Sequence, residues 1–351
     1  MNKHKALISL LILLIILGGC SKEAAKVDVE SPLPDNEESS ETVIPEPPKV
    51  DYRSIKANES GKIMVLMYHG IGNLEEEWVR TADNFKKDLK TLYDKGYRTL
   101  SLHDYINNNI NTPSGFTPVV ITFDDSLQNQ FNLLEKDGEL KIDSNSAVGI
   151  MDNFSKEHKG FGNAATFYVY FPIPFRQKDK IKDKFEYLIK NGYDIGNHSY
   201  THEMLGKMDA AGIQKQLALN VNMTGSYIPG YIVDTLALPY GSRPKDEALR
   251  KYIISGEYDG TKYTNNAVLL VGSNPAPAPN SIDYDSSSIP RIRASEMKTE
   301  GTGIYDWLKY FDLHPENRYI SDGNPGTVVV PKSHEGNINK NSIPSKQLIT
   351  Y

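Results

Sequence analysis

Cysteine is almost absent. The chain has 351 residues and one cysteine, Cys20, so neither an intrachain disulfide nor a cysteine-built metal cluster is available. Basic charge is also scarce: 39 Lys and Arg stand against 45 Asp and Glu, a net charge of −6. That balance argues against nucleic acid as a partner, because phosphate binding draws on a basic surplus. No apolar run reaches the length of a membrane span. Ala6 to Leu17, preceded by Lys3 and Lys5, is too short for one and fits the core of a secretion signal. A packed core is feasible, since 39% of residues are hydrophobic and 24% charged, and the length allows one large domain or two small ones.

The apolar run ends in Leu17-Gly18-Gly19-Cys20, which resembles the lipobox of bacterial lipoproteins. The resemblance implies cleavage before Cys20 and a lipid on its thiol. The mature protein would then lie outside the cytoplasm, held to the cell membrane by lipid. The alternative is an ordinary signal peptide with an incidental cysteine. Residues 1–20 are read as this signal and residues 21–58 as a tether. The tether contains ESPLPDNEESSETVIPEPPK, rich in Pro, Glu and Ser, and such a segment buries too little apolar surface to fold. Residues 59–351 are read as the folded domain.

Short apolar runs there alternate with helical periods. Strands are expected at 63–68, 119–123, 165–170, 193–197, 235–238, 267–271 and 327–330. They show little polar alternation, as strands covered on both faces do. NFKKDLKTLYDKG and KIKDKFEYLIKNG place apolar residues at helical spacing and stop at Gly96 and Gly192. Alternating strands and helices predict an α/β domain with parallel strands, and about seven strands favour barrel-like closure.

Two motifs carry chemistry. VVITFDD ends an expected strand on Asp124 and Asp125, and adjacent carboxylates repel unless a cation relieves them. A solvated turn is the plainer reading; a metal between them is the sharper one. GNHSYTH places His198 and His202 after another strand. Residues four apart share a side if the backbone turns helically there, which suits two ligands of one cation. Both motifs fall at strand C-termini, where barrel sites are built.

Together TFDD, HSYTH and LPYG (residues 238–241) resemble the motifs of the polysaccharide deacetylases, the NodB-like or carbohydrate esterase family 4 proteins, in order and over roughly residues 60–300. The resemblance implies a distorted (β/α) barrel and metal-dependent removal of acetyl groups from amino sugars. It makes Asp125, His198 and His202 the metal ligands and Asp124 the general base. Tyr240 would offer its backbone N–H to the oxyanion. The metal would be Zn2+ or another divalent ion such as Co2+, Ni2+ or Mn2+. The substrate would be a polysaccharide containing N-acetylglucosamine, of the cell wall or an exopolysaccharide. VLMYHGIG places His69 after the first strand, similar to the poly-N-acetylglucosamine deacetylase branch, where such a histidine is the acid. His314, in DLHPEN, is held in reserve.

The pattern also departs from the family. Ser126 replaces the usual glycine, and Ala237 replaces the arginine that orients the base; Arg291 and Arg293 are candidates to supply that charge. IYDW (residues 304–307) carries the Asp-Trp pair of the late family motif without its first aspartate. These departures keep two alternatives open: a non-catalytic glycan-binding protein of the envelope, and an esterase acting on O-acetyl groups.

Overall fold

Residues 50–351 are described by a computed structural model; the expected signal, Cys20 and residues 21–49 of the expected tether lie outside the described residues. Composition places residues 50–58 in the tether, yet the fold begins inside that stretch. Asp51 caps a single helical turn, α1 (Tyr52–Ile55). Ala57 is fully buried and Asn58 bridges to Ile320. The cause is a pairing with chain far away in sequence, which local composition does not report.

Seven strands form a parallel half-barrel. In chain order the sheet strands are β1 (Met64–Tyr68), β2 (Tyr97–Thr99), β3 (Thr117–Phe123), β4 (Thr166–Val169), β5 (Asp194–Asn197), β6 (Thr235–Ala237), β7 (Ala267–Leu269) and β8 (Ile292–Arg293). Their spatial order is β7-β6-β5-β4-β3-β1-β8, and β2 pairs with the first part of β3 as an eighth member. Every pairing in this sheet is parallel. All five residues of β1 and all seven of β3 are buried, which explains their unbroken apolar character.

One expected strand belongs elsewhere. Thr327–Val330 is a strand, but it pairs with Gln347–Thr350 in a separate two-stranded sheet. The seventh place in the half-barrel goes to β8, two residues long and too short to show a period.

The two clearest helices sit as their spacing predicts. α2 (Ala82–Asp94) buries Phe85, Leu89 and Leu92. α4 (Ile181–Lys190) buries Ile181, Phe185 and Leu188. Gly96 and Gly192 both have φ of 81°, the left-handed C-terminal position that favours glycine. α3 (Ala147–Glu157) joins α2 against the sheet, α5 (Ala210–Tyr227) and α6 (Glu247–Ile254) follow β5 and β6, and α7 (Ile304–Leu313) follows β8. The largest apolar cluster joins α2, α3 and α4 to the sheet through Phe123 and Phe167, whose rings stack 4.8 Å apart. Among the described residues no helix is long and apolar enough to cross a membrane.

Candidate active site

Parallel strands deliver their C-terminal ends to one mouth, and the register sets those ends side by side. Tyr68 of β1 pairs with Phe123 of β3, Val169 of β4 with Asn197 of β5, and Ala237 of β6 with Leu269 of β7. The residues that follow therefore meet. His69, Asp124, Asp125, His198, His202 and Tyr240 line one pocket of about 390 Å³, together with Trp78, Leu238 and Val271.

Asp124 is buried and held by a guanidinium. Arg291, with no exposed surface, donates from Nη1 to Oδ1 at 2.8 Å and from Nη2 to Oδ2 at 2.7 Å. The same guanidinium donates to the Leu270 carbonyl at 2.8 Å and to Thr122 Oγ1 at 3.1 Å, so its plane is fixed. Burial pushes the Asp124 carboxyl up; the positive charge of Arg291, with that of the nearby histidines, outweighs it and holds the pKa below the ordinary aspartate value. The charge that Ala237 does not bring is thus supplied by Arg291, the residue immediately before β8. Arg293 goes elsewhere: it pairs with Glu77 at 3.1 Å and lies 4.8 Å from the centre of the Trp78 ring.

Asp125 faces two imidazoles. Its Oδ1 is 3.4 Å from His198 Nε2 and 3.1 Å from His202 Nε2. One ligand atom from each of the three lies within 4.8 Å of the others. His198 Nδ1 is 2.8 Å from the Ala237 carbonyl, which takes the Nδ1 proton and turns the Nε2 lone pair to the cluster. One carboxylate and two imidazoles aimed at one point, with coordination positions left over, fit a divalent cation. Burial pushes Asp125 up, but hydrogen bonds from both histidines hold it far below the ordinary value. Burial lowers His198, and the charges of Asp124 and Asp125 outweigh that and raise it. A cation bound here competes with that proton.

The histidine loop is not helical. Tyr200 and Thr201 form a bend, and Ser199 and His202 on either side of it have φ of 59° and 60°. Helix α5 imposes this path. Asn220 Nδ2 donates to the carbonyls of Ser199 and Val169 at 2.8 and 2.7 Å. Gln216 Oε1 accepts from the amides of Tyr200 and Thr201 at 2.9 Å each. The two imidazoles still meet, with rings 4.8 Å apart, by left-handed turns rather than by helical periodicity.

The carboxylate turn is also left-handed, with φ of 75° at Asp125 and 42° at Ser126. Ser126 therefore occupies a conformation that favours glycine. Its neighbours hold it: Phe175 donates its N–H to the Ser126 carbonyl at 2.7 Å. Gln130, fully buried, donates from Nε2 to the carbonyls of both His69 and Asp124, tying the ends of β1 and β3 together.

His69 is half-buried, with its ring 4.7 Å from Trp78. Burial lowers its pKa, and the attraction of Asp124 and Asp125 only partly offsets this. Tyr240 is 63% exposed, has φ of 56°, and lies 4.6 Å from His202. His314 is outside the pocket, packed on Tyr310 and 3.5 Å from Glu316. Asp306 caps α7 through the Gly303 amide at 2.9 Å, and Trp307 donates to the Ser273 carbonyl at 2.8 Å; neither reaches the pocket. Trp78 and Gln130 carry no signal in the sequence, because isolated residues in loops have no spacing to betray them.

Residues 111–255 match the family model described as polysaccharide deacetylase. That span holds Asp124, Asp125, His198, His202 and Tyr240, while His69 and Arg291 lie outside it. Among curated proteins, a gellan lyase from Bacillus sp is 32% identical over 135 residues, 36% of this chain. The chain spans only 5% of that protein's length. Among solved structures the fold is similar to the Streptococcus pyogenes deacetylase PplD in complex with acetate, at 18% identity and a TM-score of 0.50, covering 71% of this chain and 97% of that one. It is also similar to BC0361, a polysaccharide deacetylase from Bacillus cereus, at 18% identity and a TM-score of 0.50, covering 71% and 68%. The half-barrel is the polysaccharide deacetylase fold, and the stretch that matches the family model lies within it.

Proposed function

We propose that the chain is a metal-dependent hydrolase that removes acetyl groups from the amino sugars of a polysaccharide containing N-acetylglucosamine. One observation carries the reading. A carboxylate clamped by a buried arginine, Asp124, stands in the same pocket as the Asp125–His198–His202 cluster, with His69 beside them.

Asp125, His198 and His202 would hold the ion, zinc in this reading. When bound, such an ion acidifies water and polarises a carbonyl. Asp124 takes the proton of the attacking water, and Arg291 keeps it ionised and fixes the direction of its oxygens. The water oxygen adds to the acetamide carbon. Tyr240 presents its backbone N–H to the oxygen that gains charge. His69 gives a proton to the nitrogen as the C–N bond breaks, so acetate and a free amine leave. The exposed Tyr240 and Trp78 rings supply flat apolar walls beside the reacting group.

The non-catalytic alternative rested in part on Ala237, and it loses that ground because Arg291 supplies the missing charge. We further propose that Cys20 carries a lipid that holds the enzyme outside the cytoplasm; release of a Cys20→Ser chain from the membrane fraction tests this. The central test is acetate release by the zinc-loaded protein from N-acetylglucosamine oligomers and cell-wall fragments, beside Asp124→Asn. Release that disappears in the variant supports the reading. No release above the variant overturns it, and release from O-acetylated sugars alone replaces it with an esterase.

A further inference from the structure

A second concave site lies at the opposite end of β1. Lys62 precedes that strand and lines this second site, whereas His69 follows the strand and lines the first. The extended chain between them sets the two about 20 Å apart. The second cavity has about 440 Å³ against about 390 Å³ for the candidate active site, and they share no residue.

Two aromatic rings on α7 form one wall. Trp307 and Tyr310 have centroids 5.2 Å apart at 74°. The Trp307 indole N–H is already donated to the Ser273 carbonyl, so what this side chain has to offer is its ring. Tyr310 is 36% exposed, and its hydroxyl accepts from Asn317 Nδ2 at 2.9 Å. The other walls are polar. Asn274, Asn317 and Asn337 bring side-chain amides, and the charges are mixed, with Lys62 facing Asp283 at 4.0 Å and Glu316 nearby.

This chemistry selects its ligand. A lipid-like ligand would strip water from the amides without replacing their hydrogen bonds. A polyanion would meet two carboxylates and one lysine. A pyranose has an apolar C–H face for an aromatic ring and a rim of hydroxyls for amides, so both walls are used.

The geometry points to a second saccharide-binding site, which takes a stretch of the same amino-sugar polymer away from the reacting residue. This rests on the substrate class proposed above. Holding the polymer at a remote point raises its effective concentration at the first site without a new contact there.

The chain offers its own reporter. It has two tryptophans, Trp78 in the candidate active site and Trp307 in the second cavity. In Trp78→Phe, tryptophan emission comes from Trp307 alone. Titration of this full-length variant with N-acetylglucosamine tetramer should change its emission and saturate. Adding Tyr310→Ala should weaken that binding about tenfold, the loss of one aromatic contact. Circular dichroism checks that both variants are folded. A Trp307 signal that stays flat, or one that Tyr310→Ala leaves untouched, overturns the site. Acetate release by the unmodified chain is measured in parallel. Release with a silent Trp307 removes the second site alone; a responding Trp307 without release keeps the site and removes the deacetylase reading.

Discussion

Arg291 and Asp124 stand 167 positions apart in sequence and meet guanidinium to carboxylate through two hydrogen bonds of 2.8 and 2.7 Å. Both are buried. A paired buried carboxylate keeps its charge, and a bidentate partner also fixes its direction. The arginine reaches the site from the position just before β8, at the edge of the half-barrel, and so brings the charge that Ala237 of β6 does not supply.

Arg291→Lys keeps the charge but not the fork. Acetate release should fall by about a hundredfold, within the range of general-base contributions. Arg291→Met leaves a buried charge unpaired and should also lower stability by about 3–5 kcal/mol. Steady-state release and thermal unfolding of both variants check this. A lysine variant as active as the parent would show that the orientation of Asp124 does not matter.

Ser126, at φ of 42°, sits where glycine is at ease. Its hydroxyl receives only a long contact from the Tyr170 amide, at 3.5 Å. Ser126→Gly should therefore hold or raise the melting temperature. Ser126→Val, β-branched in a left-handed turn, should lower it, since such residues are strongly disfavoured there. Calorimetry on the two variants decides, and a clear loss with glycine would mean that the serine side chain stabilises the turn.

The carboxylate and histidine motifs were legible because each follows an apolar run long enough to read as a strand. The parallel sheet then brought Asp124, Asp125, His198 and His202 to one mouth. The route of the second motif was not legible. A four-residue spacing predicts a helical turn, but bonds from Asn220 and Gln216 bend residues 198–203 through left-handed positions instead. Arg291 stood out only as one of two candidates, because β8 is two residues long and its pairing is set by β1. Tyr97–Thr99 escaped for the same reason. Thr327–Val330 looked like a core strand because it is one, though of a different sheet.

At the N-terminal end of the barrel, His103 bridges two carboxylates, 2.7 Å from Asp234 and 3.5 Å from Asp194. The hydrogen bond to Asp234 raises its pKa, against burial and with help from the charges of Asp194, Asp234 and Asp104, to about 9 from 6.5. Between those values the folded chain holds a proton that the unfolded chain has released. Stability from this bridge is complete below about pH 6.5 and is lost as pH rises through about 9. The melting temperature should therefore fall across that window, and His103→Gln should flatten the fall. An equally steep fall in the variant would assign it to another group.

Asp124 and Asp125 are neighbours with different prospects as ligands. Both oxygens of Asp124 already accept from Arg291, whereas Asp125 turns Oδ1 to His198 and His202. Metal binding and turnover should consequently separate. Asp125→Ala, His198→Ala and His202→Ala should each lose stoichiometric zinc after dialysis, because three protein donors are the fewest that hold a catalytic zinc. Asp124→Asn should keep its zinc and lose acetate release. Elemental analysis beside the activity assay distinguishes the two classes. Zinc lost from Asp124→Asn would make that carboxylate a ligand and remove it as the base.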